Sequence, residues 1–180
     1  RSLCGHFGKV YAMNWGGGVP INNSNSGKEF DPKIDLPPLV SASQDGRLIV
    51  WNAYTTYKIA SIALRNSWVM TCAIDPKTNN LVASGGLDNC CSIYKVNQSM
   101  TGGGNEGGDG GTNGSSMPIT ELYGHDGYVA CTRFIGSSKI LTSSGDGTIM
   151  LWDVNRGDLL STFEGHTGDV MSLDMLQDIN

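Results

Sequence analysis

The sequence predicts an all-β chain folded as part of a β-propeller. Three observations predict it. A Gly-His pair stands at Gly5-His6, Gly124-His125 and Gly165-His166. Two matching units, SASQDGRLIVWN and TSSGDGTIMLWD, lie between these pairs, each with Trp six residues after Asp (Asp45 to Trp51, Asp146 to Trp152). The distance from His125 to His166 is 41 residues, the length of one four-stranded blade in a repeat architecture. A third copy is degenerate: SGGLDNCCSIYK carries Tyr94 six residues after Asp88.

The strand-forming runs fall into three sets of four. They are short, rich in Val, Ile, Leu and Tyr, and separated by turn residues. The first set is KVYAMNW, PLVSAS, RLIVWNA and KIASIAL, assigned to a blade over residues 5–64. The second is WVMTCAI, NLVASG, CSIYKV and ITELYG, over 65–124. The third is YVACTRF, KILTSS, TIMLWDV and LLSTFEG, over 125–164. Residues 165–180 open a fourth, with Met171-Ser172-Leu173 as its first strand. Residues 1–180 as a whole read as a fragment, part of a ring of about seven blades.

Two insertions break the frame. His6 to Asp45 spans 39 residues where His125 to Asp146 spans 21, and the excess lies in residues 16–37. Asp88 to His125 spans 37 where Asp146 to His166 spans 20, and the excess lies in the Gly-rich stretch 101–116. Both are poor in large apolar residues and are expected to be flexible loops. Strands alternate in direction along a blade. The first insertion joins strands one and two of its blade and the second joins strands three and four, so both are expected on one face. The opposite face keeps only tight turns.

Composition excludes several classes. A net charge of −5 without a basic patch argues against nucleic acid. No apolar run approaches the roughly 20 residues of a membrane helix. The five cysteines, Cys4, Cys72, Cys90, Cys91 and Cys131, lack CxxC spacing and read as reduced thiols of a cytosolic chain rather than metal ligands. No metal or cofactor is expected.

The Gly-His, Asp-Gly and Trp-Asp spacing resembles the WD40 repeat. That resemblance implies a structural network in which the histidine bonds the turn Asp, and a hydroxyl and the Trp complete the set. The sets are His6, Ser41, Asp45, Trp51 and His125, Thr142, Asp146, Trp152, with His166 opening the next. An Asp-His-Ser set also invites a catalytic triad. Its recurrence in each regular blade, with the Trp as a member, argues for structure, and no histidine is left over for catalysis. The second blade has Arg65 at the histidine place and Tyr94 at the Trp place, so its network is expected to be incomplete.

Residues that vary at fixed, exposed places of the frame are the candidates for recognition. Three residues after each histidine stand Lys9, Trp68 (counted from Arg65), Tyr128 and Asp169. Two further on stand Tyr11, Met70, Ala130 and Met171. The turn of the second blade adds Leu87 and Asn89. Lys, Trp, Tyr and Asp at one structural position are not chosen for blade packing. Aromatic, Met and charged residues around a propeller mouth have the composition of a protein-binding hot spot. The alternative for Met70 and Met171 is a place in the core beside the channel.

The match extends beyond the repeat. GHFGKVYAMNW, LVSASQDGRLIVWNAYTT, ALRNSWVMTCA, GGLDNCCSIY, LTSSGDGTIMLWD and FEGHTGDVMSL resemble the β subunit of heterotrimeric G proteins. SWVMTCA and GGLDN carry most of the specificity, because they come from the irregular blade. The resemblance implies a non-catalytic transducer. Its tight-turn face binds the GDP-loaded α subunit and, when released with γ, effectors. Lys9, Tyr11, Trp68, Met70, Leu87, Asn89, Tyr128, Asp169 and Met171 match that family's contacts, and Lys58 and Ser67 match peripheral ones. It further implies a cytoplasmic protein held at the inner face of the plasma membrane by the lipid anchors of γ and α. Phe7, Gly8, Asp126 and the two insertions depart from the pattern. The insertions resemble those of fungal β subunits. The family's γ-binding N-terminal helix and later blades have no counterpart in the chain. The alternative is another WD40 scaffold, such as a ubiquitin-ligase receptor or a kinase-anchoring protein.

Overall fold

Alternating apolar residues in short runs dictate strands, and twelve strands form among the described residues. In the computed structural model, residues 2–17, 37–96 and 117–175 are described. The first sheet contains β1 (Val10–Trp15), β2 (Leu39–Ser43), β3 (Arg47–Asn52) and β4 (Tyr57–Ala63). The second contains β5 (Val69–Ile74), β6 (Leu81–Gly86), β7 (Cys90–Lys95) and β8 (Thr120–Tyr123). The third contains β9 (Val129–Ile135), β10 (Lys139–Ser144), β11 (Ile149–Asp153) and β12 (Leu159–Phe163). Each sheet is an antiparallel meander in sequence order. This is the predicted all-β, partial propeller.

The sheets stack face to face through the period-two alternation of their strands. On one side of the second sheet, Val82, Tyr94 and Cys72 pack with Val40, Leu48, Val50 and Ile62 of the first. On its other side, Ala83, Cys91, Ile93 and Leu122 pack with Phe134, Ile140, Met150 and Trp152 of the third. The first strands β1, β5 and β9 lie side by side on the inner edge. Thr71 and Thr132 join β5 to β9 through their hydroxyls at 3.2 Å, and Thr132 N donates to Thr71 Oγ1 at 3.1 Å.

Residues 165–175 differ from expectation. No strand forms at Met171-Ser172-Leu173. The segment passes the end of β10, with Val170 N donating to Ser144 O at 3.0 Å, and meets β9 where the Cys131 thiol lies 3.9 Å from Leu173 O, but no second strand pairs with it among the described residues. His166, expected in a network, is exposed, because the hydroxyl, Asp and Trp of such a set have no counterparts among the described residues that follow it.

The two regular sheets share one polar lock. Trp152 Nε1 donates to Thr142 Oγ1 at 2.8 Å, His125 Nε2 meets the same oxygen at 2.7 Å, and His125 Nδ1 meets Asp146 Oδ2 at 2.7 Å. In the first sheet the distances are 2.7 Å from Trp51 to Ser41, 2.8 Å from Ser41 to His6 and 2.9 Å from His6 to Asp45. An ionised carboxylate only accepts, so each Nδ1 carries a proton and donates. For a neutral ring, Nε2 then accepts from the hydroxyl, and the hydroxyl accepts from the indole. The imidazole and indole rings sit edge to face at 6.2 Å in both sheets. Gly124 and Gly5 are required by close approach: a Cβ on either would sit 2.9 Å from the outer edge of the adjacent indole.

Burial alone would raise the Asp146 carboxyl. Hydrogen bonds from Thr148 and His125 outweigh it and hold the carboxyl down to about 2. Asp45 is lowered in the same way, its burial outweighed by the Phe7 amide and His6. A carboxyl lowered on folding adds stability above its unfolded value of 3.8, and that stability is lost as pH falls toward 2. Asp146→Asn is therefore expected to lose about 2 kcal/mol at pH 7 and about half of that at pH 3. Denaturant unfolding at the two pH values checks this, and a loss independent of pH contradicts it. For Trp152, packing outweighs the indole hydrogen bond. Trp152→Ala should cost about 3–5 kcal/mol and Trp152→Phe about 1–2 in the same assay.

The cysteines are free thiols: Cys4 is exposed, and Cys72, Cys90, Cys91 and Cys131 are buried. Burial pushes the Cys72 thiol up to about 12 and raises Cys90 and Cys91. A thiol reagent at mildly alkaline pH is expected to label Cys4 in the native protein and to spare Cys72 and Cys91 until unfolding, as peptide mass mapping would show.

Candidate functional site: the turn face

Three turns and the links that precede each first strand make one face. Each turn is closed the same way. The amide of the turn's first residue donates to the carbonyl three places after the histidine position: Gln44 N to Lys9 O at 2.9 Å, Leu87 N to Trp68 O at 3.1 Å, and Gly145 N to Tyr128 O at 3.0 Å. Lys9, Trp68 and Tyr128 are thus equivalent by geometry, including in the second sheet, where no histidine marks the frame. Gly46, Asn89 and Gly147 close the turns at φ of 75, 59 and 83°. This left-handed region favours Gly and tolerates Asn, so Asn89 has a structural reason to be Asn.

The next ring inward is set by β-bulges. β1 pairs Val10 with Ser43 and Ala12 with Ala42, leaving Tyr11 as the extra residue. β5 pairs Val69 with Gly86 and Thr71 with Gly85, leaving Met70. β9 pairs Val129 with Ser144 and Cys131 with Ser143, leaving Ala130. A bulge re-aims its extra side chain out of the alternation. The sequence counting found these positions, but the bulge that distinguishes them has no signature in composition.

Exposure separates the candidates. Trp68 is 55% exposed, and Tyr11, Leu87 and Met171 are similarly open. Lys9, Ser67 and Asp169 are exposed, whereas Met70, Asn89 and Tyr128 are half-buried. Tyr128 OH donates to Asp169 Oδ2 at 2.6 Å and lies 3.3 Å from Met171 Sδ, which joins three candidates in one cluster. That bond to Asp169 pushes the Tyr128 phenol up. Trp68 is placed by Asn66, whose Oδ1 accepts from Trp68 N at 3.2 Å. Sequence reading passed over Asn66, although Asn before an apolar run signals such a turn. Lys58 is not brought to this ring: it pairs with Trp51 at the far end of β3.

The opposite face bears the stems of both insertions. Gly16 N donates to Pro38 O at 2.8 Å, and Gly17 N to Asn79 Oδ1 at 3.0 Å. Val96 N donates to Asn80 O at 2.7 Å just before the second insertion. The expected loops themselves lie outside the described residues from 18 to 36 and from 97 to 116.

The network hydroxyls are poor nucleophiles. Thr142 is fully buried, and its oxygen is already engaged by the indole and the imidazole. Among the described residues, no group of three or more His, Cys, Asp or Glu could hold a metal ion. No described helix is long and apolar enough to cross a membrane.

Comparison with known proteins agrees with this geometry. The sequence profile of the family described as "WD domain, G-beta repeat" (WD40) matches residues 59–95 and 116–153. The crystal structure of the computationally designed Ika4 protein superposes with a TM-score of 0.65 at 21% identity, over 98% of this chain and 86% of that one. At that identity the likeness speaks to the fold alone. Residues 59–95 and 116–153 thus match WD40 repeats, which generally build non-catalytic scaffolds for protein interactions, and the described residues fold as three four-stranded blades of a partial β-propeller.

Proposed function

We propose that this chain is the propeller of a heterotrimeric G-protein β subunit. Its turn face binds the GDP-loaded α subunit and, after release together with γ, downstream effectors. The observation that carries the reading is the equivalence of Lys9, Trp68 and Tyr128, three different side chains at one backbone position. The resemblance of the irregular blade, SWVMTCA and GGLDN, to that family supports it further. Trp68 is the anchor: a large, exposed, locally oriented aromatic beside Met70 and Leu87. Such residues dominate interface energetics. On this reading the protein works at the inner face of the plasma membrane, held there by the lipid anchors of γ and α.

Binding of the α subunit in its GDP and activated states tests the proposal. Preference for the GDP state supports it, and indifference to nucleotide state favours a generic WD40 adaptor instead. Trp68→Ala should weaken binding of the GDP-loaded α subunit by about 2 kcal/mol, roughly thirtyfold, with the thermal transition unchanged. Normal binding by this variant would remove the anchor from the account. Deletion of residues 101–116 is expected to leave the affinity within about twofold, because their stems lie on the other face.

A further inference from the structure

The second sheet lacks the histidine of its neighbours' polar lock, and although the Tyr94 phenol engages Ser92 and Ser84, the imidazole's space is not refilled. A cavity of about 250 Å³ opens there, lined among others by Ser84, Asp88, Ser92, Tyr94 and Glu121, with Arg65 and Trp68 at its rim. Ser84 and Asp88 stand where Thr142 and Asp146 hold the two nitrogens of His125. The turn is preserved: Asp88 Oδ1 accepts from Cys90 N at 3.4 Å, as Asp146 Oδ1 accepts from Thr148 N at 2.8 Å. Its Oδ2 should face what Asp45 and Asp146 give to imidazole. Among the described residues no hydrogen bond to that oxygen forms. The residue at the histidine place, Arg65, swings outward and pairs with Glu121 at 3.0 Å.

The lining explains why the space stays open. Tyr94 is shorter than the Trp of the other sheets, and Leu64 stands where Gly5 and Gly124 admit an indole. Ser84 is buried and borders the cavity. Two carboxylates against one guanidinium leave the site acidic, which favours a cation.

We propose that this cavity is a socket for an imidazole group supplied from outside the chain, namely a histidine side chain of the protein docked on the turn face. The imidazole would donate from one nitrogen to Asp88 and meet the Ser84 hydroxyl with the other, as His125 does within the third sheet. Trp68 lies both on the rim and on the docking face, so a docked partner can reach the socket. Only the source of the imidazole rests on the turn face being a protein interface; the socket itself does not.

Imidazole alone is the probe. Titration into the ¹⁵N-labelled protein is expected to give saturable shifts confined to Gly85, Gly86, Asp88 and their neighbours, with affinity in the millimolar range. The double substitution Ser84→Ala with Asp88→Asn should weaken it roughly tenfold or more. Arg65→His supplies an imidazole from within and should abolish binding of the free one with the fold intact; it decides the matter if the double variant fails to fold. Absence of saturable shifts, or unaltered binding to Arg65→His, overturns the socket. Addition of the GDP-loaded α subunit then separates the sources. Displacement of imidazole supports a partner histidine, and simultaneous binding of both overturns that assignment. If the α subunit does not bind at all while imidazole does, the proposed function fails and the socket stands.

Discussion

The bond from His125 to Asp146, with its copy from His6 to Asp45, is the constraint on which the rest depends. It ties the link before each inner strand to the turn between the next two strands. The same Asp oxygen also takes the amide after the histidine, Phe7 N at 2.9 Å and Asp126 N at 3.0 Å. Once these are fixed, the chain enters its inner strand in one orientation, and Lys9 and Tyr128 emerge at the same place on the face. A buried imidazole and carboxylate without each other would each carry a large desolvation cost, so neither is dispensable.

The second blade shows what happens when the lock is absent. Its turn keeps the same bonds at greater length, 3.4 Å for both Asn89 N to Gly86 O and Cys90 N to Asp88 Oδ1. Gly86 also lacks the hydroxyl that Ser43 and Ser144 offer to the Asp amide. Packing takes over: this sheet sits between two others and buries both its faces, Val82 and Tyr94 on one, Ala83 and Ile93 on the other. Apolar burial of that extent can replace a local polar network. A central blade can therefore give up its histidine, and it presents Arg65, Trp68 and an open cavity instead.

Much of this was legible in the sequence, for physical reasons. Asp45-Gly46 and Asp146-Gly147 specify tight turns, the apolar alternation specifies strands, and the 41-residue spacing specifies repetition. The bulges at Tyr11, Met70 and Ala130 were not legible, because they arise from pairing between strands rather than from local preference. The cluster of Tyr128, Asp169 and Met171 is likewise a long-range contact across 41 to 43 residues. The expected strand at Met171 illustrates the converse: among the described residues no partner strand pairs with it, and local propensity alone gives no sheet. Substitution of the network residues was readable as a loss, but the cavity it leaves required the positions of Leu64 and Tyr94.

The central claim is that recognition occurs on the face built by the three turns. Hydrogen–deuterium exchange on the complex with the GDP-loaded α subunit tests it most directly. The account predicts new protection at residues 7–11, 66–70, 87–89 and 126–130, with the far-face turns at 75–80 and 136–138 unchanged. Protection concentrated at those far-face turns, with the turn face still exchanging freely, would contradict it.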